Sequence, residues 1–387
     1  MSQQKYTFYL TGGLLTLLCL LLFLYTTTPA ASQNQPVAEN KIAEEDSLIH
    51  LHIIAAGDAM CHMPQITHAK KAAGDGYDFS GSFQYLTDIL AQGDLNVVNL
   101  ETVLADAPYS GYPQFCAPDE FAVALKEAGF NFFLLANNHC ADRGTKGTMA
   151  TIEKLRKMQI PSAGTYLNTE DRAERYPAMM EIKGIKIALL NYTFGTNGLT
   201  VKAPVSINLL DDTVQIKKDL EAAGNQGAEL IIAFLHWGTE YQQFPNKQQQ
   251  EQAQFFFKNG TDIIVGSHPH VIQPVEYVAC DPADSTKRKP VYWSLGNLIS
   301  NQRNPYTDGG MMASFTVTKN RNTNRVCIEN PSTIPYWVYR NTTHAPGYFI
   351  LPTERFLNDT ATFRFSDEDR SAFQRFVNHA REIAPKI

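Results

Sequence analysis

An α/β fold is predicted for this chain by three features of its sequence. Short apolar runs alternate with amphipathic helical stretches, glycines stand where those helices would end, and polar residues gather just after the apolar runs. The strand-like runs are 51–56, 96–100, 131–136, 186–192, 230–235, 262–265 and 291–295. Between them, 119–128, 145–158, 213–223 and 247–258 have the spacing of helices with one apolar face. Gly129, Gly224 and Gly260 each sit where such a helix would stop before the next strand. After Asn297 the chain is richer in Asn, Thr, Pro and aromatics, which predicts further strands and loops, and 367–383 reads as a closing helix. No internal repeat is evident. The expected organisation is one catalytic-size domain over 47–300, completed by C-terminal strands and a helix within 301–387.

With 387 residues, 44% of them hydrophobic, the chain can bury a full core. A net charge of -6 and a pI near 5.9 leave no basic footprint, which argues against nucleic acid as a partner. Residues 8–25 carry no charge and are rich in leucine, long enough for a short membrane span. Lys5, the sole charge before them, favours an inside amino terminus and an exported body. Thr28-Pro29-Ala30 is a poor cleavage signal, so 1–25 reads as a retained membrane anchor; cleavage near Ala30 or Ala31 would make it a signal segment and leave the body in the same compartment. Residues 26–46, rich in Thr, Pro, Ala, Ser, Gln and Asn, read as a solvated tether. The body is therefore expected on the extracytoplasmic side of the cell envelope, anchored or secreted.

Cys19 falls inside the apolar segment and reads as filler. Cys61, Cys116, Cys140, Cys280 and Cys327 remain, an odd number that leaves at least one unpaired. Cys280 with Cys327 is the expected disulfide in an oxidising compartment. Cys61 and Cys140 stand beside candidate site residues and read as small buried fillers in preference to ligands.

In α/β sheets, functional groups collect outside the carboxyl ends of the strands. Here the expected strand ends carry Gly57-Asp58, Asn99-Leu100-Glu101, Asn137-Asn138-His139, His236-Trp237-Gly238 and His268-Pro269-His270. Each has a plain alternative: Asp58 as a turn or cap, Glu101 paired to a base, Asn137-Asn138 as a turn, His236 as a packed histidine. Together they point to a shared metal site, and mixed carboxylate, amide and imidazole ligation suits manganese, iron or zinc. In the His-Pro-His run, Pro269 biases His268 towards extended backbone, where residues i and i+2 project to one side, so both rings are expected to reach one ion pair.

Taken in order, Gly57-Asp58, Asn99-Leu100-Glu101, Ala136-Asn137-Asn138-His139 with Asp142, His236-Trp237-Gly238-Thr239-Glu240-Tyr241, Gly266-Ser267-His268-Pro269-His270-Val271 and Ser294-Leu295-Gly296-Asn297 form a series. The series resembles the bacterial capsule synthesis protein family, the CapA or poly-γ-glutamate synthesis group, which is similar to calcineurin-like metallophosphoesterases. The resemblance covers roughly 50–300. It implies a four-layer αββα sandwich with the site at one sheet edge and two divalent metal ions. Glu101 takes the place of a carboxylate that bridges them, Asn138, His236 and His268 complete one ion, and Asp58 and His270 the other. His139 matches the histidine that meets the leaving group or attacking water, with Asp142 orienting it; Glu240, Tyr241 and Asn297 are implied at the substrate rim. The first motif departs from the phosphoesterases' Asp-x-His, since Asp58 is followed by Ala59-Met60-Cys61-His62, and His62 is expected to reach the first metal from a different register. The implied function is that of an envelope-facing, metal-dependent hydrolase of capsule or poly-γ-glutamate-type exopolymer biosynthesis, acting on a phosphoryl or amide bond. The alternative is a non-catalytic, membrane-tethered component that binds or exports polymer. The expected partners are the membrane, through the N-terminal segment, the capsule polymer or its precursor, and other capsule-synthesis membrane proteins.

Overall fold

Apolar runs that are buried on both faces belong in sheets covered on both sides, and the structure has two such sheets. This computed structural model describes residues 47–106, 108–281, 284–341, 347–359 and 361–384, with no side-chain description for 280–287. The expected anchor 1–25 and tether 26–46 lie outside the described residues. Among the described residues, no helix is long and apolar enough to cross a membrane.

Strands are numbered in chain order. In the first sheet, β1 (Leu48–Ala59) runs parallel to β2 (Leu95–Leu100), β2 to β5 (Phe132–Leu134) and β5 to β6 (Ser162–Ala163). On the other side of β1 lie β16 (Gly309–Asn320), β17 (Val326–Arg340) and β18 (Tyr348–Pro352), and β15 (Asn297–Ile299) pairs parallel with the end of β1. In the second sheet, β9 (Ile185–Thr193), β11 (Leu230–His236), β12 (Ile263–Ser267) and β14 (Asp284–Tyr292) run parallel, edged by antiparallel β8 (Ala178–Ile182) and β13 (Val275–Asp281). Two small ladders, β3 (Val103–Leu104) with β4 (Cys116–Ala117) and β7 (Thr165–Tyr166) with β10 (Ser206–Ile207), sit in the connections.

The period of two along β1 shows the layering. Leu51, Ile53 and Ala55 join a core with Ile187, Leu189, Ile232, Phe234 and Ile264 of the second sheet. Ile54 and Ala56 face the other way, into a core with Phe121 and Leu125 of the helix Asp119–Ala128 and Ile152 and Leu155 of the helix Gly144–Lys157. On the second sheet, Ile216 and Leu220 of the helix Thr213–Asn225 and Phe256 and Phe257 of the helix Lys247–Lys258 add the fourth layer. The fold is thus a four-layer αββα sandwich. Each fully buried Leu, Ile or Phe in these layers contributes about 1.5–3 kcal/mol relative to exposure.

Helix ends follow local chemistry. Lys247–Lys258 starts in a capping box of Asn246 and Gln249, and the closing helix Asp367–Ile383 in one of Ser366 and Asp369. Gly129, at φ 120°, does end its helix, but Gly224 does not: that helix continues to Asn225, and Gly227 at φ 81° makes the left-handed turn instead.

The expected strand 291–295 is corrected. β14 ends at Tyr292, and the chain then leaves the second sheet to enter the first at β15, where Asn297 lies in register with Asp58. Gly57 permits this crossing, because a Cβ on it would run into the carbonyl oxygen of Gly296, which accepts the Asp58 amide at 3.0 Å. Gly57→Ala is therefore expected to destabilise the fold by about 1–3 kcal/mol through forced backbone displacement. A thermal melt of the variant indistinguishable from wild type would contradict this.

Cys61, Cys116, Cys140 and Cys327 are free thiols. Cys327 sits 3.4 Å from Glu329 Oε1 as a free thiol, and the side chain of its expected partner Cys280 lies outside the described residues. Burial pushes the Cys140 thiol up to about 12 and Cys61 well above its usual range, as befits inert buried fillers.

Candidate metal centre

The carboxyl ends of β1, β2, β5, β11 and β12 meet at one edge of the two sheets. Each delivers side chains that burial would make costly unless something paired them. Asp58, fully buried at the end of β1, accepts a hydrogen bond from Asn99 Nδ2 at 2.8 Å and another from the His268 amide at 3.2 Å; its Oδ2 lies 3.1 Å from His270 Nδ1. Burial alone would raise its pKa. The hydrogen bond and charge of His270, then His236 and Asn99, outweigh it and hold the carboxyl at about 2.

Glu101, one residue past β2, is also fully buried, and neither of its carboxylate oxygens has a hydrogen-bond partner. Its Oε1 lies 3.7 Å from His236 Nε2 and 3.8 Å from His270 Nε2. Burial, and after it the neighbouring Asp58, push this carboxyl well above the usual carboxylate range.

After β5, three polar residues divide the work. Asn191 of β9 steers the backbone there, its Oδ1 accepting from the amides of Leu135 and Ala136 at 3.1 and 2.8 Å. Asn137 pins the turn, donating to Leu100 O at 2.8 Å and Asn99 Oδ1 at 3.2 Å while accepting from the His139 amide. Asn138 turns its Oδ1 to 2.8 Å from His236 Nε2 and donates to Asn197 Oδ1 at 3.3 Å. His139, also buried, places Nδ1 2.8 Å from Asp142 Oδ2, an oxygen that also accepts the Phe115 amide at 2.6 Å. The Phe115 ring meets the His139 ring edge-on at 4.7 Å and fixes its plane.

His236 ends β11. Ser267 Oγ at 3.0 Å and Asn99 Nδ2 at 3.3 Å occupy its Nδ1 side, which leaves Nε2 facing Asn138 and Glu101. Burial, then His268, hold its imidazole well below the ordinary histidine value; burial, then His270, lower His268 to about 3. Both rings are thus neutral at pH 7, the form that binds a cation.

The His-Pro-His segment departs from expectation. His268 has φ 98° and His270 φ 59°, so neither is extended. These left-handed conformations cost on the order of 1–3 kcal/mol each and persist where the surroundings over-determine them. The His268 amide bond to Asp58 and the His270 ring contact with the same carboxylate supply that determination. The two rings stand 5.8 Å apart.

Among the described residues, three groups of ligand atoms lie mutually within 4.8 Å: Glu101, His236 and His268; Asp58, Glu101 and His270; and Glu240, His268 and His270. Glu101 is common to the first two. The donor set fits a divalent cation, because the buried, unpartnered oxygens of Glu101 and the unpartnered Nδ1 of His268 are the atoms such an ion would satisfy. Burial, and after it Asp58, favour the protonated form of Glu101 when no ion is bound, so metal uptake is expected to release protons. Calorimetry in two buffers of different ionisation enthalpy measures this release, and identical heats would contradict the assignment.

Other expected site residues fall elsewhere. His62 belongs to none of the three groups: β1 ends at Ala59 and the chain turns into the helix Met63–Ala73, so His62 becomes its N-cap, with Nδ1 accepting the Asn301 amide at 3.2 Å. Asn297 is not on a rim but fully buried, donating to Gln302 Oε1 at 2.8 Å and Thr307 O at 2.9 Å. Glu240 and Tyr241 are exposed beside the centre. Asn99 and Ser267 stand in the motifs without a role assigned to them and orient ligand side chains here, whereas Phe194, outside the motifs, stacks its ring beside His236 at 6.3 Å and contacts His268 at 4.5 Å. Phe194 follows β9, the one expected strand end from which no chemistry was drawn.

Comparison with known proteins places these observations. A model of the bacterial capsule synthesis protein PGA_cap matches residues 52–302. Capsule biosynthesis protein CapA of Bacillus anthracis is 34% identical over 192 residues, 48% of this chain and 44% of the relative. PGA biosynthesis protein CapA of Bacillus subtilis (strain 168) is 28% identical over 203 residues, 52% of this chain and 50% of the relative. The chain therefore matches about half the length of these curated relatives. Similar solved structures include a 5'-nucleotidase precursor from Thermus thermophilus, with TM-score 0.45 and 13% identity, covering 87% of this chain and 59% of that one. A novel phosphatase from Mycoplasma pneumoniae has TM-score 0.39 and 13% identity, covering 81% of this chain and 98% of that one. With a family model spanning most of the sandwich and every strand end that builds the centre, the chain belongs to the bacterial capsule synthesis protein family, PGA_cap.

Proposed function

We propose that this protein is a metal-dependent hydrolase of capsule or poly-γ-glutamate-type exopolymer biosynthesis, acting on a phosphoryl or amide bond of the polymer or its carrier. The observation that carries this reading is the position of Glu101, a buried and unpartnered carboxylate shared by two ligand groups, with the His139–Asp142 pair on the adjoining strand end. Two ions, of manganese, iron or zinc, are the proposed occupants: Glu101, His236, His268 and Asn138 would hold one, and Asp58, Glu101 and His270 the other. When bound, they supply Lewis acidity that lowers a water's pKa and stabilises charge on the attacked centre. His139 gives a proton to the leaving group, and Asp142, held by the Phe115 amide, keeps the imidazole oriented for it. The sequence supports an extracytoplasmic site of action, tethered to the membrane through the N-terminal segment, with the polymer or its precursor and other capsule-synthesis membrane proteins as partners.

The full-length protein loaded with manganese, iron or zinc is expected to cleave a simple phosphodiester or amide ester surrogate and to lose that activity on chelation. A protein that cleaves neither, while restoring polymer production in a deletion strain even as His139→Ala, would be the non-catalytic polymer-binding or export component instead.

A further inference from the structure

Exposed aromatic rings are ordinary when scattered singly over a surface, and informative when they meet at a site. Among the described residues, Phe194 and Tyr241 are exposed large apolar side chains in ring contact with histidines of the centre. Phe194, 43% exposed, lies against His236 and His268, the histidines of one ligand group. Tyr241, 46% exposed, lies 6.3 Å from His270 of the other. One ring therefore stands beside each group, and Glu101 is common to both groups.

Neither ring is loosely placed. The Phe194 amide donates to His236 O at 3.0 Å, and the Tyr241 amide to Pro269 O at 2.8 Å. Tyr241 holds φ 66°, a conformation uncommon for an aromatic residue. A cover meant only to dry the histidines would be buried itself, whereas these rings keep 43% and 46% of their surface exposed.

Each ring has an exposed polar side chain within a few residues. Asn197, in the segment after Phe194, accepts from Asn138; Glu240 directly precedes Tyr241 and shares a ligand group with His268 and His270. A flat apolar face with an amide or carboxylate beside it suits a sugar ring, whose C–H face stacks while its hydroxyls donate to planar oxygens. A γ-glutamyl chain offers no ring to either platform and would bring carboxylates against Glu240.

We propose that the centre takes a substrate with a sugar ring on each side of the bond it attacks, Phe194 and Tyr241 being the stacking platforms and Asn197 and Glu240 the hydroxyl acceptors. This rests on the hydrolytic reading above for the bond attacked, though not for the recognition of sugar.

The test uses full-length, metal-loaded protein with two probes: a phosphodiester joining two neutral hexoses, and a neutral hexose disaccharide observed by saturation-transfer NMR. Phe194→Ala and Tyr241→Ala are each expected to raise KM for the diester about tenfold, and Phe194→Tyr to restore it. Phe194→Leu keeps the apolar cover without the flat face and is expected to behave as the alanine variant. Rescue by leucine equal to that by tyrosine would overturn the proposal, as would preference of the wild type for a γ-glutamyl oligomer or a nucleotide diester. If the protein cleaves no ester, the disaccharide decides: a transfer signal lost in Phe194→Ala upholds sugar recognition while the hydrolytic reading fails, and no signal in wild type overturns it.

Discussion

Glu101→Gln is expected to yield a protein that no longer retains a divalent ion yet melts higher than the metal-free wild type. The two effects come from one cause. The carboxylate is fully buried beside Asp58, with both oxygens unpartnered, so without an ion the fold must either hold a proton there or bury a second negative charge. The folded pKa is raised above the unfolded one, so unfolding releases a proton, and wild-type stability falls as pH rises above the ordinary glutamate range. Glutamine removes that penalty. The metal-free variant should exceed the metal-free wild type by about 1–3 kcal/mol at pH 7, with the gap closing towards pH 4. With metal present the order reverses, because only wild type gains the stabilisation of a bound ligand. Thermal melts with and without chelator at two pH values check all three statements. A variant less stable than wild type in chelator would contradict the account of Glu101.

His139→Ala is expected to lower hydrolysis by about 10²–10⁴-fold while metal content stays near that of wild type, with a lower melting temperature because buried Asp142 loses its partner. His139 belongs to none of the three ligand groups, and its Nδ1 is committed to Asp142. Its loss therefore removes a proton donor without removing a ligand. Asp142→Asn should fall between the two, since the Phe115 amide would still meet the side-chain oxygen but the imidazole would lose its charged partner. Loss of metal in His139→Ala, measured by elemental analysis, would move this histidine into the ligand set.

How far the sequence led depended on whether one element or several determined a residue's place. The run 230–235 reads as a strand because both of its faces are buried, and β11 extends it by only His236. The helices 119–128, 247–258 and 367–383 are found with those bounds, since their apolar stripes and caps are written in adjacent residues. At 291–295 the apolar pattern continues while the chain changes sheets, and a change of pairing partner leaves no mark on hydropathy. The same holds at the centre. Asp58, Glu101, Asn138, His236, His268 and His270 could be named from their places after apolar runs. The backbone that presents the last two could not, because the preference imposed by Pro269 is local and is overridden by hydrogen bonds to Asp58, 210 residues away. His62 misled because its spacing from Asp58 says nothing of the helix that begins beside it. Asn99, Ser267 and Phe194 act through the side chains they touch, which only the folded arrangement reveals.

Whether Glu101 joins two metal positions is read from anomalous scattering by crystals of the manganese-loaded protein. Two peaks are expected, both within ligand distance of Glu101, one among His236, His268 and Asn138 and the other between Asp58 and His270. A single peak, or any peak that His62 binds and Glu101 does not, would contradict that role for Glu101.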